Sequence, residues 1–286
     1  MSENALMAGK RGLVMGVAND HSIAWGIARK LKAHGAELAF TYQGEAQGKR
    51  LKSLVSDNAT LTMQADVEKD EELDAAFATL EREWGRLDFL VHAIAYSDKN
   101  ELKGRYVDTT RANFMRSMDI SCYSFTAVAQ RASRLMRASD GAAGGAMLTL
   151  TYLGSSRVMP NYNVMGVAKA ALEASVRYLA ADLGHDGVRV NAISAGPMRT
   201  LAGAVIGDSR TVFRWNRIQS PLHKSIELDH VGGAALYLLS DLSAGVTGEV
   251  HFVDAGFNVV GMPSGAELKA FFASDSESED SGAGES

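Results

Sequence analysis

The feature that most constrains this chain is a regular alternation of two hydrophobic patterns. Short apolar runs, each long enough for one buried strand, alternate with amphipathic stretches of helical period. Gly12 to Ala18, Glu37 to Gln43, Leu61 to Val67, Leu87 to Ala95, Gly144 to Leu153, Val188 to Ala195 and Glu249 to Asp254 read as strands. Helical patterns cover Ser22 to His34, Glu45 to Ser56, Asp70 to Trp84, Thr110 to Arg137, Asn161 to Leu183 and Glu227 to Ser240. Strands that are apolar along their length are buried on both faces, which requires parallel pairing with helices above and below. The expected fold class is α/β: a single-domain Rossmann-like doubly wound parallel sheet with helices on both faces. Two stretches escape the alternation and read as a loop, Tyr96 to Asp108, and an irregular segment, Gly196 to Lys224. Ligands of such sheets bind beyond the carboxyl ends of the strands, near the point where strand order reverses.

Composition narrows the class. Of 286 residues, 46% are hydrophobic, 22% charged and only four are proline, so a large packed core is expected rather than a disordered or fibrous chain. The single cysteine, Cys122, excludes an intrachain disulfide, and no Cys/His cluster suggests a metal. Cys122 lies in an apolar helical run, where a buried structural thiol is expected. Met1 to Lys10 lacks the apolar core of a signal peptide, and no apolar stretch approaches the ~18 residues of a membrane span. No membrane association and a cytoplasmic location are therefore expected. The net charge of −5 belongs entirely to the stretch Asp275 to Ser286, which holds Asp275, Glu277, Glu279, Asp280 and Glu285 and no base. That stretch reads as a disordered acidic tail. The remainder is formally neutral, which argues against nucleic acid as a partner.

The first strand runs into Gly16, and the chain turns into a helix at Ser22 and Ile23. Glycine allows close backbone approach to a pyrophosphate, and free amides at a helix start favour the anion. The GxGxxG fingerprint is absent, so a plain strand-to-helix turn is the alternative. The second strand ends near Gln43 and Glu45 with no adjacent base, which favours NADH over NADPH; Lys49 and Arg50 lie about a turn further on. Asp66 and Val67 end the third strand, where the carboxylate can accept from an adenine amine or cap the next helix. Ala93, Ile94 and Ala95 end the fourth, where small side chains allow close packing on a cofactor.

Tyr162 and Lys169 are seven residues apart in one helical pattern, a spacing that puts both on one face. Tyr152 lies ten residues before Tyr162, at the end of the preceding strand. A nearby ammonium favours ionisation of a phenol and makes it a better proton donor. Such a pair suits reduction of a polarised carbonyl or enone.

Together these residues resemble the short-chain dehydrogenase/reductase superfamily. Within it, the chain looks like the divergent enoyl-[acyl-carrier-protein] reductases. The common pattern is Tyr-x3-Lys with a serine on the preceding strand; here Met165 occupies the common tyrosine position and Tyr152 stands near the serine's. The arrangement Tyr152, Tyr162, Lys169 is instead the enoyl reductase one. The match runs from about Lys10 to Met262 and includes His92-Ala93-Ile94 and Asn191 to Thr200. It departs at Ala95, where some members have glycine.

The resemblance implies NADH-dependent reduction of trans-2-enoyl thioesters, borne on acyl carrier protein, in fatty-acid elongation. It implies that Tyr162 donates to the thioester oxygen, Lys169 binds the nicotinamide ribose, and Tyr152 positions substrate. It implies cofactor contacts from Gly16, Ser22, Ile23, Gln43, Asp66, Val67, Ile94, Ile193 and Thr200, and substrate contacts from Ala95 and Met165. The dinucleotide-binding reductase domain would span residues 1–262, with a substrate-binding lid at about 197–224, and 263–286 would form an extension. Leu201 to Gly207 suits a mobile lid, and Met159, Met165 and Met198 an apolar wall or ordinary core. Arg199, Arg210, Arg214, Arg217 and Lys224 face one acid, Asp208, in this segment, a basic cluster suited to an acidic carrier protein or to internal ion pairs. The family's usual homotetramer would use the helices Thr110 to Arg137 and Asn161 to Leu183. Alternatives are a superfamily reductase acting on a ketone or β-ketoacyl thioester, against which Met165 argues, and a non-catalytic dinucleotide sensor, against which the Tyr162/Lys169 pair argues.

Overall fold

A computed structural model describes residues 5–55, 59–136, 144–198, 200, 209–266 and 268–269. The strands are β1 (Arg11–Met15), β2 (Glu37–Tyr42), β3 (Thr62–Gln64), β4 (Phe89–His92), β5 (Ala146–Thr151), β6 (Arg189–Ala195) and β7 (Val250–Val253). They form one sheet in the order β3-β2-β1-β4-β5-β6-β7 with every pairing parallel. Strand order reverses between β1 and β4, so the carboxyl ends of these two strands open the crevice the sequence pattern called for.

The helices are α1 (Ile23–Ala33), α2 (Glu45–Leu54), α3 (Asp70–Trp84), α4 (Lys99–Leu102), α5 (Arg111–Met118), α6 (Ser124–Met136), α7 (Asn163–Leu183), α8 (Ser209–Gln219) and α9 (Leu228–Leu239). On one sheet face Ile27, Leu31, Leu51, Val231 and Ala235 meet alternate strand residues such as Val14, Val91 and Ile193. On the other, Leu73, Phe77, Phe125, Val128, Leu172 and Val176 meet Leu13, Met15 and Leu90. Burying each such side chain stabilises the fold by roughly 1.5–3 kcal/mol. α1 and α9 touch closely because position 26 is glycine: a Cβ there would stand 2.7 Å from Leu228 Cβ.

Three expectations are corrected. The long helix expected from Thr110 is interrupted by a π turn, Asp119–Tyr123, that separates α5 from α6. The expected loop after β4 holds α4, whose Asp98 accepts from Asn100 N, and a 3₁₀ turn at Tyr106–Asp108. The irregular segment contains α8, whose inward positions Asn216 and Gln219 are polar and so hide the helical period. The lid expected at Leu201 to Gly207, Arg199 and the acidic tail lie outside the described residues.

Candidate active site

Gly16 follows β1 with φ of 96°, and a Cβ there would stand 2.1 Å from Ala93 O. Only glycine lets the β1–α1 turn close against the end of β4. Ser22 flanks α1; its hydroxyl donates to Asn19 O at 2.6 Å and its side chain does not cap the first-turn amides. With no acid in that first turn, Ile23 opens a helix end whose amides suit an anion. Across the crevice Gln43 Nε2 donates to Asp66 Oδ2 at 3.2 Å, joining the ends of β2 and β3. Asp66 Oδ1 accepts from Glu68 N, and α3 starts only at Asp70 with Lys69 flanking it. Asp66 therefore closes an Asx turn and is not the helix cap that its position allowed. Lys49 is paired with Glu45 at 2.7 Å on the exposed face of α2. Val67 and Ile94 are half-buried against the core, and Ala95 is exposed just beyond β4.

Ile193 stands inside β6 with no exposure, whereas Met198 follows the strand's end, with Thr200 N donating to Met198 O at 2.8 Å.

Tyr152 directly follows β5 and Tyr162 directly precedes α7, after a left-handed turn at Asn161 with φ of 56°. Their rings meet edge-on with centroids 5.0 Å apart. Two glycines make this possible. A Cβ on Gly154 would stand 2.3 Å from Tyr162 Cδ1, and one on Gly166 would stand 2.7 Å from Gly154 O. Met165 is buried beside the pair, and its sulfur lies 3.7 Å from Ser121 Oγ.

The electrostatics reverse one sequence argument. Burial pushes the Tyr162 phenol well above its ordinary range, and neighbouring Tyr152 and Glu173 push it further. Burial, with a contribution from Asp254, raises Tyr152 to about 12. Lys169 does not acidify the phenol: its Nζ donates to Leu150 O at 2.8 Å, and burial lowers its pKa to about 8. Helical spacing measured only the charge partner, while desolvation dominates. Tyr162 is thus held neutral, as a hydrogen-bond and proton donor, and Lys169 remains mostly cationic at neutral pH.

The family model described as enoyl-(acyl carrier protein) reductase matches residues 16–258. The chain belongs to this family. It is 63% identical over 262 residues to enoyl-[acyl-carrier-protein] reductase [NADH] 2 of Rhizobium meliloti (strain 1021), covering 91% of this chain and 96% of that protein. The crystal structure of FabI from Candidatus Liberibacter asiaticus superposes with a TM-score of 0.87 at 54% identity, covering 91% of this chain and 99% of that one. The reductase from Anaplasma phagocytophilum, solved in complex with NAD, gives a TM-score of 0.86 at 55% identity over 93% and 98% of the two chains.

This enoyl reductase carries a further set of site residues that sequence reading passed over. Asn113, Ser117, Ser121 and Ser124 form a buried polar stripe along α5, the π turn and α6. Asn113 Oδ1 accepts from Asp98 N at 3.0 Å, and Ser121 Oγ both accepts from Tyr96 N and donates to Tyr96 O at 2.9 Å. Ser124 Oγ donates to Ile120 O at 2.6 Å and meets His92 Nε2 at 2.9 Å, while His92 Nδ1 meets Thr149 Oγ1 at 3.2 Å. The extra residue of the π turn lets the stripe tie the loop after β4 to the sheet. Burial lowers His92 to about 3, so it is a neutral tether. The detectable signal was small polar residues four, four and three apart, a spacing that puts them on one helix face. Glu173 was also missed; its carboxylate accepts from Thr151 Oγ1 at 2.6 Å and so braces the residue before Tyr152.

Proposed function

We propose that this chain reduces trans-2-enoyl thioesters of acyl carrier protein to saturated acyl thioesters, using NADH. The observation that carries this is the buried, edge-packed Tyr152/Tyr162 pair between the end of β5 and the start of α7, with Lys169 of the same helix bound to Leu150 O of β5. A dinucleotide fits the residues present: a Gly16 turn that a Cβ would block, an uncapped α1 start, and the Gln43–Asp66 pair beyond β2 and β3. Gly16, Ser22 and Ile23 would hold its phosphates, Gln43, Asp66 and Val67 its adenosine, and Ile94, Ile193, Thr200 and Lys169 its nicotinamide half. When bound, NADH supplies a hydride. Tyr162 then serves the negative charge that develops on the thioester oxygen, a donor that matters more in the transition state than before it. Its raised pKa keeps the proton in place until that charge forms. Lys169 supplies positive charge and a donor for ribose hydroxyls. Tyr152, Met165 and Ala95 shape the space for the acyl thioester.

The reductase domain is assigned to residues 1–262 and the extension to 263–286. The exposed bases Arg214, Arg217 and Lys224 are the surface on which an acidic carrier protein docks. Exposed Tyr123 and Tyr178, at 58% and 76%, lie on the π turn and α7, and Tyr237 and Phe252 are exposed along the β7 edge. Two separate apolar faces are what a homotetramer of dihedral symmetry requires. No helix among the described residues is long and apolar enough to cross a membrane. With one free, buried thiol, the enzyme is assigned to the reducing cytoplasm.

The test is turnover of NADH with a short trans-2-enoyl thioester, followed by absorbance, with NADPH and Tyr162→Phe in parallel. Turnover is expected with NADH, weakly with NADPH, and with roughly 10²- to 10³-fold loss in the variant. NADH binding without turnover of enoyl thioesters would transfer the assignment to ketone substrates.

A further inference from the structure

The chain carries an acidic stretch, Asp275 to Ser286, that none of the chemistry above uses. It holds five acids and no base, while the remaining residues hold equal numbers of acids and bases. The path toward it starts beside the basic surface already described. Leu222 N donates to Ala255 O at 3.2 Å, and a Cβ on Gly256 would stand 3.1 Å from the Pro221 ring. Lys224 and Asn258 line one hollow. The segment leaving α8 and the segment leading to the C-terminus are therefore packed together, and Met262, six residues beyond Gly256, is 74% exposed.

α8 exposes Arg214 and Arg217, three residues apart on one face, and Trp215, next to Arg214 in the chain, is 43% exposed. No ion pair among the described residues engages Arg214, Arg217 or Lys224. Twelve residues lie between Met262 and Asp275, of which 265–266 and 268–269 are helical. With about five residues at helical rise and the rest extended, that length reaches roughly 30 Å, well beyond the ~16 Å length of α8. Tethered at such range, the acids meet the patch at an effective concentration on the order of millimolar.

We propose that the acidic stretch Asp275–Ser286 docks on Arg214, Arg217 and Lys224 of its own chain and competes there with the acidic carrier protein of the substrate. The competition rests on the carrier-docking surface assigned above; the tail contact does not. Exposed ion pairs are individually weak and screened by salt, so the tail is a displaceable competitor and not a permanent cover.

The experiment compares the full chain with one ending at Ala273. Acrylamide quenching of Trp215, isolated by difference against Trp215→Phe, reports the tail contact without any substrate. At low salt, Trp215 should be less accessible in the full chain than in the truncated one, and the difference should vanish at about 0.5 M salt. Truncation should also lower KM for a carrier-borne enoyl substrate on the order of 3- to 10-fold while leaving a pantetheine thioester unchanged. Equal Trp215 accessibility in both chains at low salt overturns the proposal. Shielding of Trp215 with no change in carrier KM overturns the competition and the carrier-docking surface, and upholds the tail contact alone. A change of KM for both substrates overturns competition in favour of a general effect on the site.

Discussion

Lys169, the residue proposed to hold the cofactor ribose, works against the stability of the fold. Its pKa of about 8 lies below the ordinary 10.5 because burial disfavours the cation. Between those values the folded chain has lost the proton that the unfolded chain keeps, so stability rises with pH through that window. Below it the buried cation costs roughly 3 kcal/mol at 1.36 kcal/mol per pKa unit. We therefore expect Lys169→Met to raise the thermal midpoint of the cofactor-free protein at neutral pH and to abolish NADH binding; calorimetry with and without NADH checks both. NADH affinity of the unaltered protein should fall as pH rises through about 8, read by fluorescence titration across that range. A flat affinity profile would remove the cation from ribose binding. The Tyr152/Tyr162/Lys169 constellation was legible from spacing, but its electrostatics were not, because desolvation depends on what covers a group and not on its neighbours in sequence.

At the scale of the element, glycines and a π turn do the positioning. Gly154 and Gly166 let the 3₁₀ turn after β5 lie against the start of α7, which seats Tyr162 against Tyr152. Gly154→Ala places a methyl where the Tyr162 ring stands, and a misplaced donor of this kind costs about 10²-fold in rate. Turnover should fall by that order while the NADH dissociation constant stays within about twofold, since Gly16, Gln43 and Asp66 lie on other strands. Steady-state kinetics beside a binding titration separate the two; a parallel loss of binding would show that the turn supports the cofactor instead. Strands and long helices were legible because apolar period reports burial. The π turn, α4 and α8 were not, since a four-residue helix has no period to read and a polar inward face erases it.

At the scale of the molecule, the neutral body leaves its exposed aromatics as the main assembly signal. Tyr178→Glu with Tyr123→Glu would put charge into one self-association face. Light scattering coupled to size exclusion should show the unaltered protein as a tetramer and the double variant as a dimer held through the β7 edge. A tetramer in both would assign the α7 face to solvent. The faces proposed for assembly were only partly legible: the α5–α6 and α7 helices were read from their length, while the β7 edge needed the sheet to show that this strand has a neighbour on one side only.

The sequence alone determined the doubly wound class, the reading of the carboxyl ends as the site, and the residue types that do the chemistry. Those depend on periodicity and on reactive groups at local spacing, both of which are properties of the chain itself. The tertiary structure decided that Tyr162 is held neutral, and that His92 and the serine stripe tie the loop after β4 to the sheet. Each of these rests on burial or contact between residues far apart in the chain, and those distances exist only once the sheet has closed.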